Sequence, residues 1–306
     1  MTPKIHLFFQ VILLGCASAQ PDNGHALPEA NPSPTTTASP SPDFPLAGKH
    51  LMFYNLENLF DTQPDAAIND HDFTPGSKLQ WTTERLNTKL KHLAEAITLA
   101  GEDLPVLVGV CEVENREVVQ RLANEPVFRP GHYQVVHFDS PDERGIDTGL
   151  LFDKQVFTLV RSEALNVPLV DDHTRDVLHV ELGAYGHSFH VFVNHWPSRR
   201  EGQEKSEPKR MAAAEVVKQA VAAIEVDGDT HIIIMGDFND GPTDLSIKRG
   251  LGAGCTPSSK GLIDLMCLNQ PVGHGSHQFN GHWEYLDQFI VSAPLLPLVE
   301  EANAVW

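Results

Sequence analysis

Asp237, Asn239 and Asp240 fall within four positions, directly after the apolar run "IIIMG" (232–236). Acids and amides that close a core-like strand are either a turn, which such residues favour, or a site at the strand's carboxyl end. The pattern recurs along the chain. "LMFYN" ends in Asn55 with Glu57 close behind, "PVLVGVC" runs into Glu112, "FHVFVNH" ends in Asn194 and His195, and "DQFIVS" begins at Asp287. Any one of these alone reads as a loop residue; neighbouring strands, however, bring their ends to one place. The residue types suit one chemistry. Oxygens of Glu112 and Asn55 suit a hard divalent cation, and such an ion offsets the charge of an approaching phosphate. His195 can take a proton from water or give one to a leaving alkoxide. Asp237 and Asn239 can position water and hydrogen-bond the developing transition state. Arg175, in "HTRDVL", offers a fork of donors to phosphate oxygens, although its ordinary reading is a surface salt bridge.

The elements that must position these groups are visible as strand-like runs at 51–55, 105–110, 133–138, 149–153, 177–182, 189–195, 232–236 and 287–292. Helical runs separate some of them. Over 84–101, Leu86, Leu90, Leu93, Ile97 and Ala100 form one apolar stripe, with Gly101 as a stop. Over 206–224, Ser206 is the expected cap and Pro208 sits early, where proline is tolerated. Many strands with a few helices between them predict α/β layers, with two central sheets covered by helices.

The 306 residues are 41% hydrophobic and 21% charged, an ordinary globular composition with enough chain for one large core. A formal net charge of −19 excludes a module that holds polyanions by bulk attraction. Action on phosphate esters would need a cation to bridge the charges locally. The first 19 residues read as a targeting segment: the apolar run 5–14 is too short to span a membrane. "LLGC" (13–16) fits a lipoprotein signal with a lipid anchor at Cys16, and "ASA" (17–19) fits ordinary cleavage. Residues 20–48, rich in Pro, Ser and Thr, read as a tether, which favours the lipoprotein. An exported, periplasmic or outer-membrane lipoprotein or a secreted protein is expected, and a monomer. The folded domain is expected over 49–306. Cys111 reads as a small buried hydrophobe, while Cys255 and Cys267 could bridge in an exported protein.

"FYNLENLFD" (53–61), "VCEVEN" (110–115), "TGLLFD" (148–153), "HTRDVL" (173–178), "VNHWPSR" (193–199), "MGDFND" (235–240) and "YLDQFIVS" (285–292) occur in one order. That order resembles the endonuclease/exonuclease/phosphatase superfamily, most closely its DNase I-like branch with bacterial exported relatives. The resemblance implies a four-layered α/β sandwich, with two central mixed sheets flanked by helices. It implies Mg²⁺-assisted phosphoester hydrolysis, with Ca²⁺ or Mn²⁺ as other candidates. By position, Glu112 would be the principal metal ligand, with Asn55 beside the metal. Arg175 and Asn194 would bind substrate. His195, Asp237, Asn239 and Asp287 would be catalytic.

The resemblance breaks at one place. The family pattern finishes on a strand carrying Ser-Asp-His, and no such triplet follows Asp287 in "SAPLLPLVEEANAVW". The expectation is a domain incomplete at its C-terminus, lacking the last strand and exposing a sheet edge. His274, His277 and His282 are then candidates for the missing histidine. The expected function is an exported DNA or RNA endonuclease or phosphodiesterase. The alternatives are a phosphatase on inositol phosphates or phospholipid head groups, or an inactive relative.

Overall fold

The structure, a computed structural model, describes residues 46, 48–99, 101–224, 230–258, 260–268 and 274–302, with the backbone alone for 5–10 and 303–305. Cys16, the 31–45 part of the tether and Ala100 of the helical stripe lie outside the described residues.

Alternation decides the architecture. In the strand His231–Asp237 (β9), Ile233 and Met235 pack into one core while Ile232 and Ile234 pack into another. In His50–Leu59 (β2), Leu51 and Phe53 face the first core, and Met52 and Tyr54 face a third. A strand buried on both faces reads as a continuous apolar run, which is why these strands were legible.

The strands build two six-stranded sheets. One runs, in spatial order, Val299–Val305 (β14), Ile5–Gln10 (β1), β2, Leu107–Val113 (β3), Asp147–Asp153 (β5) and Tyr133–His137 (β4). The other runs Leu262–Asp264 (β10), Asp287–Ser292 (β13), β9, His187–His195 (β8), Val177–Ala184 (β7) and Thr158–Leu165 (β6). Both sheets are mixed: β2 and β3 are parallel while β3 and β5 are antiparallel, and β8 and β9 are parallel while β9 and β13 are antiparallel. A small hairpin, His277–Phe279 (β11) with His282–Glu284 (β12), stands apart.

The sheets meet face to face over Leu51, Phe53, Leu150, Val191, Val193 and Met235. Helices Thr83–Thr98 (α1) and Arg116–Ala123 (α2) cover the outer face of the first sheet, α1 through the predicted Leu86, Leu90, Leu93 and Ile97. Helix Gln203–Ile224 (α3) covers the second through Ala213, Ala214, Val217 and Val221. The result is the expected four-layered α/β sandwich.

Several expectations need correction. Beside β2, β1 pairs in parallel with both β2 and β14, which leaves β14 as the outermost described strand on that side of the sheet. β6 went unread because most of its residues are exposed or half-buried, so it lacks an apolar run. Ser206 is not the cap of α3: the helix begins at Gln203, and the Ser206 hydroxyl donates to the Gly202 carbonyl at 2.7 Å. Cys111 is free and buried, and Cys255 and Cys267 are joined in a disulfide.

The disulfide adjoins Asp264 at the end of β10. Its Oδ1 accepts from the amides of Met266 at 2.9 Å and Cys267 at 3.2 Å, while Oδ2 is buried without a hydrogen-bond partner. Burial pushes this carboxyl from 3.8 up to about 7. The unfolded chain releases the proton near pH 4, so between about pH 4 and 7 the fold holds a proton that the unfolded chain has lost. Stability must therefore fall as pH rises through that window, by on the order of 4 kcal/mol for this group alone. Asp264→Asn keeps the Oδ1 acceptor and removes the charge. It is expected to flatten the slope and to leave the variant more stable than the parent at pH 8, read as urea midpoints at either end of the window.

Candidate active site

The inner-face stripe of each central strand ends in a polar residue. In β8 it runs Val191, Val193, His195; in β9, Ile233, Met235, Asp237; and in β13, read backwards, Val291, Phe289, Asp287. Register then sets His195 beside Asp237 and Asp237 opposite Asp287, so the three form one rung across three strands. From the facing sheet, β2 contributes Asn55 by the same alternation, after Leu51 and Phe53.

Glu112 reaches the cleft by another device. The ladder of β3 slips between Cys111 and Val113, leaving Glu112 as an unpaired bulge residue at φ 57°. A bulge re-aims one side chain out of strict alternation. The partner strand β2 slips between Asn55 and Leu59, with Glu57 at φ 49° and Asn58 at φ 62°. Asn239 sits at φ 50°. Four residues in the left-handed region thus line one cleft, a conformation that is costly for residues with side chains and that gathers at functional sites.

That cleft has a volume of about 930 Å³. Asn55, Glu112, His195, Asp237, Asn239 and Asp287 all line it. The Asp237 carboxylate accepts from the Asn239 amide at 2.9 Å on Oδ1 and from Asn55 Nδ2 at 3.4 Å on Oδ2. His195 Nε2 lies 4.0 Å from Glu112 and 3.9 Å from Asp237. These are too long for hydrogen bonds, so the carboxylates do not offset the burial of the ring. Burial, reinforced by Arg175, Arg144 and Arg200, holds the His195 pKa well below the usual imidazole value and keeps the ring neutral. Burial and the neighbouring carboxylates push Asp237 and Asp287 the other way, Asp287 well above the usual carboxylate range. Lys89 is lowered to about 8 by burial, and its ammonium is spent on the carbonyls of Glu57 and Asn58.

The cluster fits a divalent cation. The charge of Glu112 raises the proton affinity of Asp237 and Asp287, the charge of Asp237 adds to that of Asp287, and Asp287 Oδ1 is buried with no hydrogen-bond partner. The nearby guanidinium groups are engaged elsewhere: Arg199 on Asp240, Asp244 and Glu284, and Arg175 on Asp142. Glu112 and Asn55 stand where a cation would be held, the chemistry their oxygens suit.

Two of the expected substrate-binding residues do not reach this cleft. Asn194 is fully buried, because it precedes His195 by one residue and so points to the opposite face of β8. Its Nδ2 donates to the Met235 carbonyl at 3.2 Å and its Oδ1 accepts from the Trp196 indole at 3.0 Å. Arg175 is also buried. Its Nε donates to the His195 carbonyl at 3.1 Å, Nη2 to the Trp196 carbonyl at 2.6 Å, and Nη1 to Asp142 at 3.0 Å. Its donors are spent on the protein, so it positions His195 instead of gripping phosphate. Arg144, Arg199 and Arg200 also line the cleft, and sequence reading passed over Arg144. Of the three histidines considered as replacements, His277 lines the cleft.

Gly236 is required where it stands. At φ 155°, a Cβ would lie 2.3 Å from the Asn194 carbonyl oxygen, so only glycine lets β9 approach β8 and deliver Asp237. For Arg175, the Lys substitution keeps the charge but loses the fork that spans two carbonyls and a carboxylate. Arg175→Lys is expected to lower kcat by about 10–100-fold, because a small misplacement of His195 is costly. KM should hold within about twofold if Arg175 does not touch substrate. Steady-state kinetics on a chromogenic phosphodiester would separate the two.

Residues 50–303 match the family model described as Endonuclease/Exonuclease/phosphatase family. No curated protein matches the chain. Among solved structures, a D. rerio TDP2 humanized by 14 mutations superposes with a TM-score of 0.54 at 17% identity, over 82% of this chain and 84% of that one. An endonuclease/exonuclease/phosphatase family protein from Bacteroides thetaiotaomicron gives 0.51 at 15% identity, over 78% and 81%. Truncated Caenorhabditis elegans TDP2 gives 0.51 at 17%, over 69% and 79%. These likenesses agree on the fold, and the family match spans nearly all of the folded part: the chain belongs to the endonuclease/exonuclease/phosphatase family, a superfamily of metal-dependent phosphoesterases.

Proposed function

We propose that this protein is a Mg²⁺-dependent phosphodiesterase acting outside the cytoplasm on DNA or RNA. The observation that carries the reading is the rung of His195, Asp237 and Asp287 facing Glu112 and Asn55 across one open cleft. An extended backbone fits a trough of this kind better than a closed pocket would. Arg144 and Arg200 in the lining supply local positive charge on a protein that is acidic overall. The Cys255–Cys267 disulfide supports an oxidising, exported setting.

In this reading each group has one task. Glu112 and Asn55 would hold the cation, which would supply charge neutralisation and polarisation of the phosphate oxygens. Asp237, fixed on both oxygens by Asn239 and Asn55, orients the attacking water. Neutral His195 has a free ring nitrogen to receive a proton, since burial prevents it from being charged beforehand. Arg175 holds the His195 backbone from behind. Asp287, whose carboxyl resists ionisation, can hold a proton beside the leaving oxygen.

Supercoiled plasmid incubated with the purified chain is expected to be nicked with Mg²⁺ and left intact with EDTA. His195→Ala should lose at least about 100-fold, the scale of general acid–base catalysis. A folded chain that leaves DNA, RNA and a generic phosphodiester untouched in the presence of Mg²⁺ would overturn the reading.

A further inference from the structure

A second acidic basin lies beside the catalytic cleft and has no task in the chemistry above. Its volume is about 980 Å³, and Asp61, Asp65, Glu114, Asp139, Asp142 and Asp147 are among its lining residues. An acidic basin alone means little, but one corner of this one is built. His137 ends β4 and Asp147 begins β5, with Asp139 on the loop between them. One ligand atom from each of the three lies within 4.8 Å of the others.

The His137 side chain is 1% exposed, and its Nε2 is buried without a hydrogen-bond partner. Asp147 Oδ2 lies only 3.2 Å from it, near enough for a hydrogen bond that the alignment does not make. Two atoms that converge on one point without bonding each other are what a shared cation requires. Ligands held about 2.1 Å from a metal stand roughly 3.0–3.4 Å apart at right or tetrahedral angles, so the observed spacing fits. The other oxygen of Asp147 accepts from the Ser140 amide at 2.9 Å and from its hydroxyl. That fixes the carboxylate and leaves Oδ2 free, as outer partners do for metal ligands. Asp139 has its Oδ1 3.9 Å from the other ring nitrogen, Nδ1, and its side chain, 88% exposed, must swing towards Nε2 to complete the set. Elsewhere in the basin, burial and the charges of Asp61, Asp70 and Asp65 raise Glu114 to about 7.

We propose that His137, Asp139 and Asp147 form a second divalent-cation site, separate from the one at Glu112. An imidazole with two carboxylates selects a borderline ion, Zn²⁺ or Mn²⁺, over Ca²⁺. The ion joins the ends of loop 138–146, which carries Asp142, the partner of Arg175, and Arg144, which lines the catalytic cleft. Occupancy at the hairpin thereby steadies the groups behind His195.

The test counts bound metal, so it does not depend on turnover. The full-length chain with Glu112→Gln, which removes the principal ligand of the catalytic cation, is titrated calorimetrically with Zn²⁺, Mn²⁺ and Ca²⁺ in separate runs. One equivalent of Zn²⁺ or Mn²⁺ is expected to remain. Adding His137→Gln should abolish it. Adding Asp139→Ala should weaken it by at least about tenfold, since even outer-shell losses reach that scale. Asp139 is exposed, so its variant keeps the fold even if the buried His137 variant does not, and circular dichroism checks both. No residual equivalent with Glu112→Gln, binding undiminished by Asp139→Ala, or binding of Ca²⁺ alone would each overturn the proposal. Failure of plasmid nicking would leave it standing.

Discussion

Asp237 and Asp287 face each other across an antiparallel pair, both half-buried at the ends of β9 and β13. Two carboxylates so placed resist ionising together, since each charge opposes the other in a region with little water. The surroundings are arranged around that constraint. The amide of Asn239 and the side chain of Asn55 steady Asp237, and the next strand offers a neutral ring at His195 in place of a charge. The protein's own cations are held one layer back: Arg175 is tied to Asp142, and Arg199 to Asp240, Asp244 and Glu284. Negative charge is thus concentrated where a cation is wanted, while Asp142, Asp240, Asp244 and Glu284 are balanced by these arginines.

The arginine network that does this balancing is itself a structural commitment. Arg210 is fully buried and pairs with Asp240 at 2.6 Å, while Asp240 also meets Arg199 at 3.1 Å and accepts from Ser246 at 2.6 Å. The Asp240 carbonyl is held by Gln288 Nε2. Such buried pairs add little net stability over an apolar replacement, yet removing one partner costs about 3–5 kcal/mol by stranding the other. Their use here lies in geometry: they tie α3 to the loop after β9 and to β13, which fixes the rung from outside.

Much of this was legible because strand alternation is strict. Val193 and His195, Met235 and Asp237, and Leu51, Phe53 and Asn55 share a parity, so a reader of the inner-face stripe arrives at the site. The same rule should have removed Asn194, which has the other parity. Arg175 was misread because residue type tells what a side chain can bond, and only the fold tells whether those bonds are already taken. Asp142, its partner, is 33 residues away in an unremarked turn. Glu112, which lines the cleft, was picked out through the resemblance to known motifs, since a bulge breaks the pattern that alternation would have used. The hairpin corner of His137, Asp139 and Asp147 gave no signal, because "HFDSPDERGID" has the composition of any solvated turn.

Trp196 gathers several of these threads. Its indole donates to Asn194, its ring packs edge-on against Phe238 with centroids 4.7 Å apart, and its carbonyl receives both Arg175 and the Asn239 side chain. It is 1% exposed, directly behind the residues that would meet substrate. A buried indole bonded to Asn194, on a residue whose carbonyl meets Arg175 and Asn239, is a built-in optical probe. Its emission reports the packing and polarity of the site without any label. Rearrangement of Arg175, Asn239 or the strand between them reaches the fluorophore through one or two hydrogen bonds.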